Sequence, residues 1–349
     1  MRNNKKMKLR RKCMQSRFSV FSLSLVVVGT FLLTVLLTRN AASVTNQVSW
    51  TFNRRRPVIR KTVYDENLRF VFIAGLEGTG HHAWQEVWKE CPIGDGEKRL
   101  KFRCAFDIEL LNQLYRGFNK NGGVFNPSTE SEYQTRRASI IEFFKKYKQQ
   151  QQSSEISTAV ILNTFIQSKE GSGMISYPNY SGRDKAIHHG HLHILAELAE
   201  IAAVDLRIVV LDRPAREIAR SVLRRIQKIP AMSEIMMITD NAMVLQTQLE
   251  MIDSDFFRCI DTIHSTHEQI LDVFQFILPP IATRGDSDRN PFHKGVLKSM
   301  TSQIKFKKQQ AAQNIEIKNE FVGDGILRLL EMAVQGLRSV MCANTNNYS

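Results

Sequence analysis

The sequence predicts a three-layer α/β domain built on a parallel sheet and preceded by one transmembrane helix. Residues 18–37 form a run of 20 residues without a charge. From residue 68 onward, short segments that are apolar throughout alternate with segments whose apolar residues have helical spacing. A glycine-rich turn directly follows the first apolar segment. Strands that are apolar throughout are typical of parallel sheets that helices cover on both faces.

The uncharged run at residues 18–37 predicts a membrane anchor. Twenty residues of helix cross about 30 Å of hydrocarbon. Eight Lys or Arg precede the run and only Arg39 falls in the first dozen residues after it, which favours a cytosolic N-terminus. A cleaved signal peptide is the alternative, but its apolar region usually has about 7–15 residues. We therefore predict a type II topology with a cytosolic tail, an anchor, a stem and a lumenal domain, at residues 1–17, 18–37, 38–67 and 68–349.

The positive charge of the chain lies outside the predicted domain. The first 64 residues contain 14 Lys and Arg and no acid, and the remaining 34 basic residues equal the 34 acidic ones. The pI of about 9.7 therefore comes from the tail and the stem, whereas the domain is formally neutral. Because a nucleic-acid-binding domain carries a basic surface, we predict no nucleic-acid partner.

Four cysteines follow the uncharged run, at positions 91, 104, 259 and 342. In an oxidising compartment they can form two disulfides in any of three pairings. Closeness in sequence favours a bond between Cys91 and Cys104. Sequons at Asn179 and Asn347 fit a glycoprotein of the secretory lumen.

The predicted elements of the domain alternate between strand and helix. The first strand covers residues 68–74 and is closed by Gly75, because its residues are apolar β-formers. Pro214 stands where a helix begins, a position that proline tolerates. The other predicted strands cover residues 157–162, 173–177 and 207–211. Helices are predicted at residues 80–90, 139–152, 191–204 and 215–227, and mainly helical structure after residue 230.

The segment FIAGLEGTGHHAW, residues 72–84, carries the clearest chemical signal. A strand enters glycines at positions 75, 78 and 80 and continues directly into a helix. Such a turn directs backbone N–H groups and the positive end of the helix dipole at one point, which makes an anion site. An ordinary tight turn is the alternative. The nucleotide-hydrolase pattern is incomplete, because His81 and His82 occupy the positions of its Lys and its Ser or Thr.

Residues 77–80, Glu-Gly-Thr-Gly, resemble the 5′-phosphosulfate loop of sulfotransferases that use 3′-phosphoadenosine 5′-phosphosulfate (PAPS). Gly78 and Thr79 match the family pattern. Leu76 stands at its basic position, Glu77 at its small position, and Gly80 at its last hydroxyl position. His81, His82 or a more distant basic residue would then neutralise the phosphosulfate.

A second segment, residues 207–225, resembles the 3′-phosphate motif of the same family. In that motif an Arg follows an apolar strand, and a Ser stands eight residues later on the next helix. Arg213 and Ser221 have this spacing. The resemblance thus implies PAPS as co-substrate, no metal, and a nucleotide site formed by Gly75, Gly78, Thr79, Gly80, His81, Arg213 and Ser221.

Sulfuryl transfer requires a base that accepts the proton of the acceptor hydroxyl. His82 is the first candidate, because it should lie on the first helical turn beside the loop, and His81 is the second. Glu77 and Glu86 are further candidates. The histidines at 188, 189, 191 and 193 lack a familiar zinc spacing and are predicted to start a helix that faces the cleft. His264 and His267 are predicted to be structural residues on a helix.

The resemblance implies a Golgi sulfotransferase that moves a sulfuryl group from PAPS to a hydroxyl, on a glycan or another acceptor. Two alternatives stay open. Asp212 ends an apolar strand and favours a lumenal phosphate-loop kinase, in which such an acid binds Mg²⁺. The absent basic residue at Leu76 favours a catalytically inactive, membrane-tethered binding protein of the same fold.

Overall fold

The computed structural model describes one compact unit within Pro57–Ser349. The described residues are 58–62, 68–81, 84, 102–105, 107–115, 123–125, 127, 129–152, 159–163, 165–168, 171–174, 177–181, 186–223, 231–278, 298, 302 and 324–342.

Five parallel strands form the central sheet, and two short antiparallel pairs lie outside it. In chain order the strands are β1 (Leu68–Gly75), β2 (Phe102–Ala105), β3 (Ala159–Asn163), β4 (Phe165–Ser168), β5 (Gly171–Met174), β6 (Asn179–Ser181), β7 (Ala186–His188), β8 (Asp205–Asp212) and β9 (Phe257–Asp261). The central sheet has the spatial order β2-β3-β1-β8-β9. This order places β1 at the centre and is compatible with a P-loop-like fold.

Helices connect these strands. They are α1 (Ile108–Leu114), α2 (Glu130–Gln152), α3 (Leu192–Ala202), α4 (Ala215–Leu223), α5 (Ala231–Leu249), α6 (His267–Ile277) and α7 (Asp324–Met341), and Ser254–Phe256 forms a 3₁₀ turn before β9. A capping box at Thr266 and Gln269 starts α6, which satisfies N–H groups that a helix start leaves without partners.

Helices cover both faces of the sheet. All eight residues of β1 are buried, and since successive side chains of a strand point to opposite faces, both faces must be covered. On one face Phe70 packs against Phe144 of α2, with ring centroids 5.7 Å apart. On the other face α6 packs against β8 and β9, and its Phe274 stacks on Trp84 at 5.9 Å.

The chain leaves β1 and β8 in opposite directions. After β1 it reaches Trp84 on the α6 face. After β8 it enters α4, whose Ile218 joins the core of the opposite face with Phe72. When the chain leaves two adjacent parallel strands toward opposite faces of the sheet, a crevice forms at their carboxyl ends. Ligands of open α/β sheets bind there. From the topology we therefore expect a ligand site at the loops that follow Gly75 and Asp212.

The amino edge of the sheet is fixed by a charged cluster. Residues 58–62 lie along this edge, where Ile59 exchanges backbone hydrogen bonds with Met251 and Asp253. Lys61 Nζ is 2.8 Å from Asp205 Oδ1. Burial lowers the pKa of Lys61 to about 8, and the carboxylate of Asp205 opposes this shift.

The predicted fold class requires a correction. In the part of the chain that the structure describes, no helix is both long enough and apolar enough to cross a bilayer. The long helices there carry charged residues: α2, for example, exposes Glu142, Lys145 and Lys146. The described residues therefore form an α/β domain with a five-stranded parallel sheet, and none of their helices spans a membrane. Residues 18–37, where that helix was predicted, lie outside the described residues.

Several predicted elements differ from the structure. The strand predicted at residues 173–177 is right only in part: residues 173 and 174 belong to β5, the antiparallel partner of β4, and Tyr177 makes an isolated bridge to Ala74. The structure also contains β2 and β9, which the sequence did not predict. One disulfide joins Cys259 to Cys342. Cys104 is disulfide-bonded as well, to a partner outside the described residues.

Candidate functional site

The loop that follows β1 requires two of its glycines. Gly78 and Gly80 have φ angles of +90° and +109°, a region that side chains strongly disfavour. Space is limiting as well, because a Cβ on Gly78 would lie 3.2 Å from the carbonyl oxygen of Ile218. A Cβ on Gly80 would lie 3.2 Å from Oγ1 of Thr262. The glycines thus let the loop pack directly on α4 and on the turn after β9.

Hydrogen bonds within the loop fix its turn. Thr79 donates twice to the carbonyl oxygen of Leu76, from N at 3.1 Å and from Oγ1 at 2.6 Å. Trp84 N donates to the carbonyl oxygen of Gly80 at 3.4 Å, which starts the next helix. The side chain of Thr79 is 1% exposed. Its hydroxyl therefore closes the turn from inside, whereas the sequence predicted a phosphate contact.

Two side chains from distant parts of the sequence hold two further carbonyl groups of the loop. Arg213 Nη1 donates to the carbonyl oxygen of Gly78 at 2.7 Å. Thr262 Oγ1 donates to the carbonyl oxygen of Thr79 at 2.6 Å and approaches that of Asp212 at 3.3 Å. Four carbonyl groups of the loop thus accept hydrogen bonds from other groups of the protein: those of Leu76, Gly78, Thr79 and Gly80.

These carbonyl contacts determine where the loop's N–H groups point. In a trans peptide the N–H points opposite to the C=O of the same unit. The bonded carbonyls of Leu76, Thr79 and Gly80 therefore direct the N–H groups of Glu77, Gly80 and His81 away from the protein groups that hold them. Convergent N–H groups at a helix start form a site for an anion such as phosphate.

Arg213, to which the resemblance assigns the 3′-phosphate, lies directly behind the loop. The Arg213 side chain is only 4% exposed. Its Nη2 lies 3.8 Å from Glu217 Oε2, and Arg220 Nη1 contacts the other oxygen of Glu217 at 2.5 Å. Ser221 is half-buried near the end of α4. Arg213 thus adds buried positive charge directly behind the loop.

The predicted catalytic histidines fall at the edge of the described region. His81 is half-buried and is the first helical residue after the loop. His82 and Glu86 lie outside the described residues. Glu77 lies half-buried within the turn itself.

A charged network lies beside the loop, at the carboxyl ends of β8 and β9. Arg338 of α7 contacts both oxygens of Asp212, with Nε at 2.9 Å from Oδ1 and Nη2 at 2.7 Å from Oδ2. The same Nη2 is 3.7 Å from Asp261 Oδ2. Burial raises the pKa of Asp212, while Arg338 opposes the rise. Arg338 leaves no signal in the sequence, because it is 126 positions from Asp212 and belongs to no motif.

The other histidines are only partly as predicted. His191 directly precedes α3 and His193 lies in its first turn. His193 is 0% exposed and therefore belongs to the core. The ring of His189 lies against that of Tyr177, with centroids 5.3 Å apart and an interplanar angle of 41°. Among the described residues no group of three or more His, Cys, Asp or Glu is arranged to hold a metal ion.

Comparisons with known proteins add little. No protein-family profile matches the chain, and no curated protein sequence matches it. One similar solved structure is that of an unliganded sugar kinase from Janibacter sp. HTCC2649, with 17% sequence identity and a TM-score of 0.28, over 62% of this chain and 99% of that chain. At this TM-score the likeness supports no inference about function.

Proposed function

We propose that this chain is a group transferase whose donor is a nucleotide, held by its phosphate at the loop of residues 75–81. The observation that carries the proposal is the set of carbonyl contacts from Thr79, Trp84 and Thr262, which orients the N–H groups of Glu77, Gly80 and His81. The loop also lies at the crevice where ligands of open α/β sheets bind.

The donor we propose is PAPS, and the reaction is sulfuryl transfer to a hydroxyl. This reaction needs donors for the charge on the leaving phosphate oxygen, and preorganised N–H groups supply such stabilisation. The family pattern has a basic residue at the position of Leu76. In this chain Arg213 supplies the positive charge, from behind the loop. Gly75, Gly78, Gly80, His81 and Ser221 complete the proposed nucleotide site.

A kinase is the second candidate, because Asp212 ends the strand beside β1. An acid at such a position binds Mg²⁺ in phosphate-loop enzymes. Both oxygens of Asp212 are engaged by Arg338, so a metal would first have to displace this arginine. This competition favours metal-free sulfuryl transfer over phosphoryl transfer.

We also propose that the domain works in an oxidising compartment such as the Golgi lumen. The disulfide between Cys259 and Cys342 and the bonded state of Cys104 support this, since disulfides persist in such compartments. A glycan hydroxyl is the acceptor we propose, because glycans are the abundant hydroxyl acceptors there.

Calorimetric titration of the full chain with 3′-phosphoadenosine 5′-phosphate, without metal, tests this function. We expect binding in the unaltered protein and about a tenfold to hundredfold loss in Arg213→Ala, since hydrogen bonds of charged groups contribute about 1.5–3 kcal/mol. Arg216→Ala is the matched control, because Arg216 is exposed on the same helix and pairs with Glu331.

The titration separates the candidates. Binding of ATP only with Mg²⁺ would replace the sulfotransferase proposal by the kinase. Binding of neither nucleotide would refute a nucleotide site and favour a catalytically inactive binding protein. Because Arg213 is buried, Arg213→Lys serves as a second variant. It keeps the charge but cannot reproduce the planar guanidinium contacts, so it should fall between the unaltered protein and Arg213→Ala.

A further inference from the structure

Asp261 and His264 form a carboxylate–imidazole pair in the turn after β9. His264 Nδ1 lies 3.2 Å from Asp261 Oδ2. The other oxygen of Asp261 accepts the backbone N–H groups of Ile263 and His264, at 2.8 and 2.9 Å. The carboxylate is therefore held in place by the same turn that presents the imidazole.

The pair lies next to the phosphate loop. Thr262, between the two residues, donates to the carbonyl oxygen of Thr79 at 2.6 Å and would contact a Cβ on Gly80 at 3.2 Å. Two peptide units separate Thr262 from His264, a Cα distance of at most about 7 Å. The side chain of His264 is 58% exposed. The exposed imidazole of His264 thus lies at the edge of the crevice beside the loop.

The carboxylate determines which imidazole nitrogen can act. When Nδ1–H donates to Asp261, Nε2 carries the lone pair and faces away from Asp261, as in other carboxylate-oriented catalytic histidines. Among the described residues, Arg338 Nη2 lies 3.7 Å from this carboxylate. The carboxyl group of Asp212, which binds Arg338 at closer range, also interacts with Asp261. One oxygen of Asp261 therefore binds the imidazole of His264, and the other accepts the backbone N–H groups of the turn.

We infer that His264, positioned by Asp261, is the general base that accepts the proton of the acceptor hydroxyl. The inference rests on the proposed transferase function. The acceptor oxygen attacks the sulfur of PAPS and forms an O–S bond, while the bond between sulfur and the phosphate oxygen breaks. 3′-Phosphoadenosine 5′-phosphate leaves with the bonding electrons, and the hydroxyl proton moves to Nε2 of His264.

The test uses the full chain with PAPS and N-acetylglucosamine as the acceptor, and also follows hydrolysis of PAPS by water. His264→Gln should bind 3′-phosphoadenosine 5′-phosphate within about twofold of the unaltered protein. Its kcat should fall about 10²- to 10⁴-fold, which is the usual contribution of a general base. The loss of activity toward low pH, caused by protonation of the base, should disappear. His267→Gln is the control, since His267 is exposed at the start of α6.

Two further variants separate catalysis from structure. His264→Ala should recover activity when imidazole is added, which a merely structural residue would not show. Asp261→Asn should lower kcat and alter the pH profile while leaving nucleotide binding intact. An unchanged rate and pH profile in His264→Gln would refute the role of His264. Nucleotide binding by the unaltered protein without transfer to either acceptor would refute it too, whereas absence of nucleotide binding would refute the proposed function itself.

Discussion

At the scale of single residues, the candidate site depends on side chains that hold the loop from outside. Thr262 is buried and donates its hydroxyl to Thr79, a residue 183 positions earlier. The loop's own residues fix only the turn at Leu76. Arg213 and Thr262 fix the carbonyl groups of Gly78 and Thr79. The geometry of the loop therefore depends on residues at the carboxyl ends of β1, β8 and β9.

We predict that Thr262→Val lowers stability by about 1–3 kcal/mol, because the buried carbonyl of Thr79 loses its donor. Nucleotide binding should weaken as well, since that peptide unit is then free to turn. Thr262→Ser keeps the hydroxyl and should stay close to the unaltered protein. Denaturant unfolding and nucleotide titration of the two variants measure both effects. Equal stability of the Val and Ser variants would show that the hydroxyl does not hold the loop.

The conformation of single residues can be predicted from the sequence where the signal is local. Gly78 is needed for its positive φ, and this need is visible in the strand-to-helix pattern. Arg213 reaches the loop because strand order alone brings the ends of β1 and β8 together. Thr262, Arg338 and the pair of Asp261 and His264 left no local signal, since their roles arise from contacts between segments far apart in sequence. His264 was even predicted to be structural.

At the scale of elements, α7 is attached to β9 in two ways. Cys342 forms a disulfide with Cys259 of β9. One helical turn earlier, Arg338 reaches Asp212 and Asp261, and its carbonyl oxygen accepts from Cys342 N at 3.1 Å. The disulfide thereby limits how far Arg338 can move from the ends of β8 and β9.

We predict that Cys342→Ser destabilises the domain by about 2–5 kcal/mol, the usual effect of removing a native disulfide. It should also weaken nucleotide binding, because α7 no longer holds the carboxylates beside the loop. Denaturant unfolding with and without reductant measures the effect. Ser339→Ala is the control on the same helix, as Ser339 is exposed. If Cys342→Ser matched this control, α7 would be held by its apolar contacts alone.

The strand β9 shows why an element escaped prediction. Its five residues, Phe257–Asp261, include Arg258 and Cys259, so they lack the continuous apolar run that identified β1 and β8. Within the described part of the chain β9 is the edge strand of the sheet and pairs only with β8, so it tolerates a charged side chain. Long-range pairing, rather than local propensity, decides such a strand.

At the scale of the whole molecule, Asp205 links distant parts of the domain. Its carboxylate binds Lys61, Arg69 and Arg207 at 2.7–2.9 Å. Arg69 also donates to the carbonyl oxygens of Phe276 and Leu278 at the end of α6. Residues 58–62, β1, β8 and α6 therefore meet at one carboxylate on the edge of the sheet opposite the candidate site.

This carboxylate predicts an acid-sensitive stability. Burial alone would raise the pKa of Asp205, but the nearby Arg69, Arg207 and Lys61 lower it below its ordinary value. Ionised Asp205 therefore stabilises the fold above the pKa of the unfolded chain, and this contribution is lost as the pH falls through the folded-state pKa. Unfolding measured from pH 7 to pH 2 should show this loss.

The variant Asp205→Asn isolates the effect. It should lower stability at pH 7 by about 3–5 kcal/mol, because buried cations lose their counter-charge, and its stability should depend less on acid pH. Asp255→Asn is the control, as Asp255 is exposed near the same edge. The same acid dependence in Asp205→Asn and in the unaltered protein would assign acid sensitivity to other carboxylates.

The arrangement of the loop's supports has a consequence for synthesis of the chain. Residues 75–80 leave the ribosome early, whereas Arg213, Thr262 and Arg338 follow in succession, the last near the C-terminal end of α7. A nascent chain therefore contains the glycine turn long before the contacts that orient it exist. A chain that is cut short before Arg338 is therefore released without the arginine that binds Asp212 and Asp261 beside the loop.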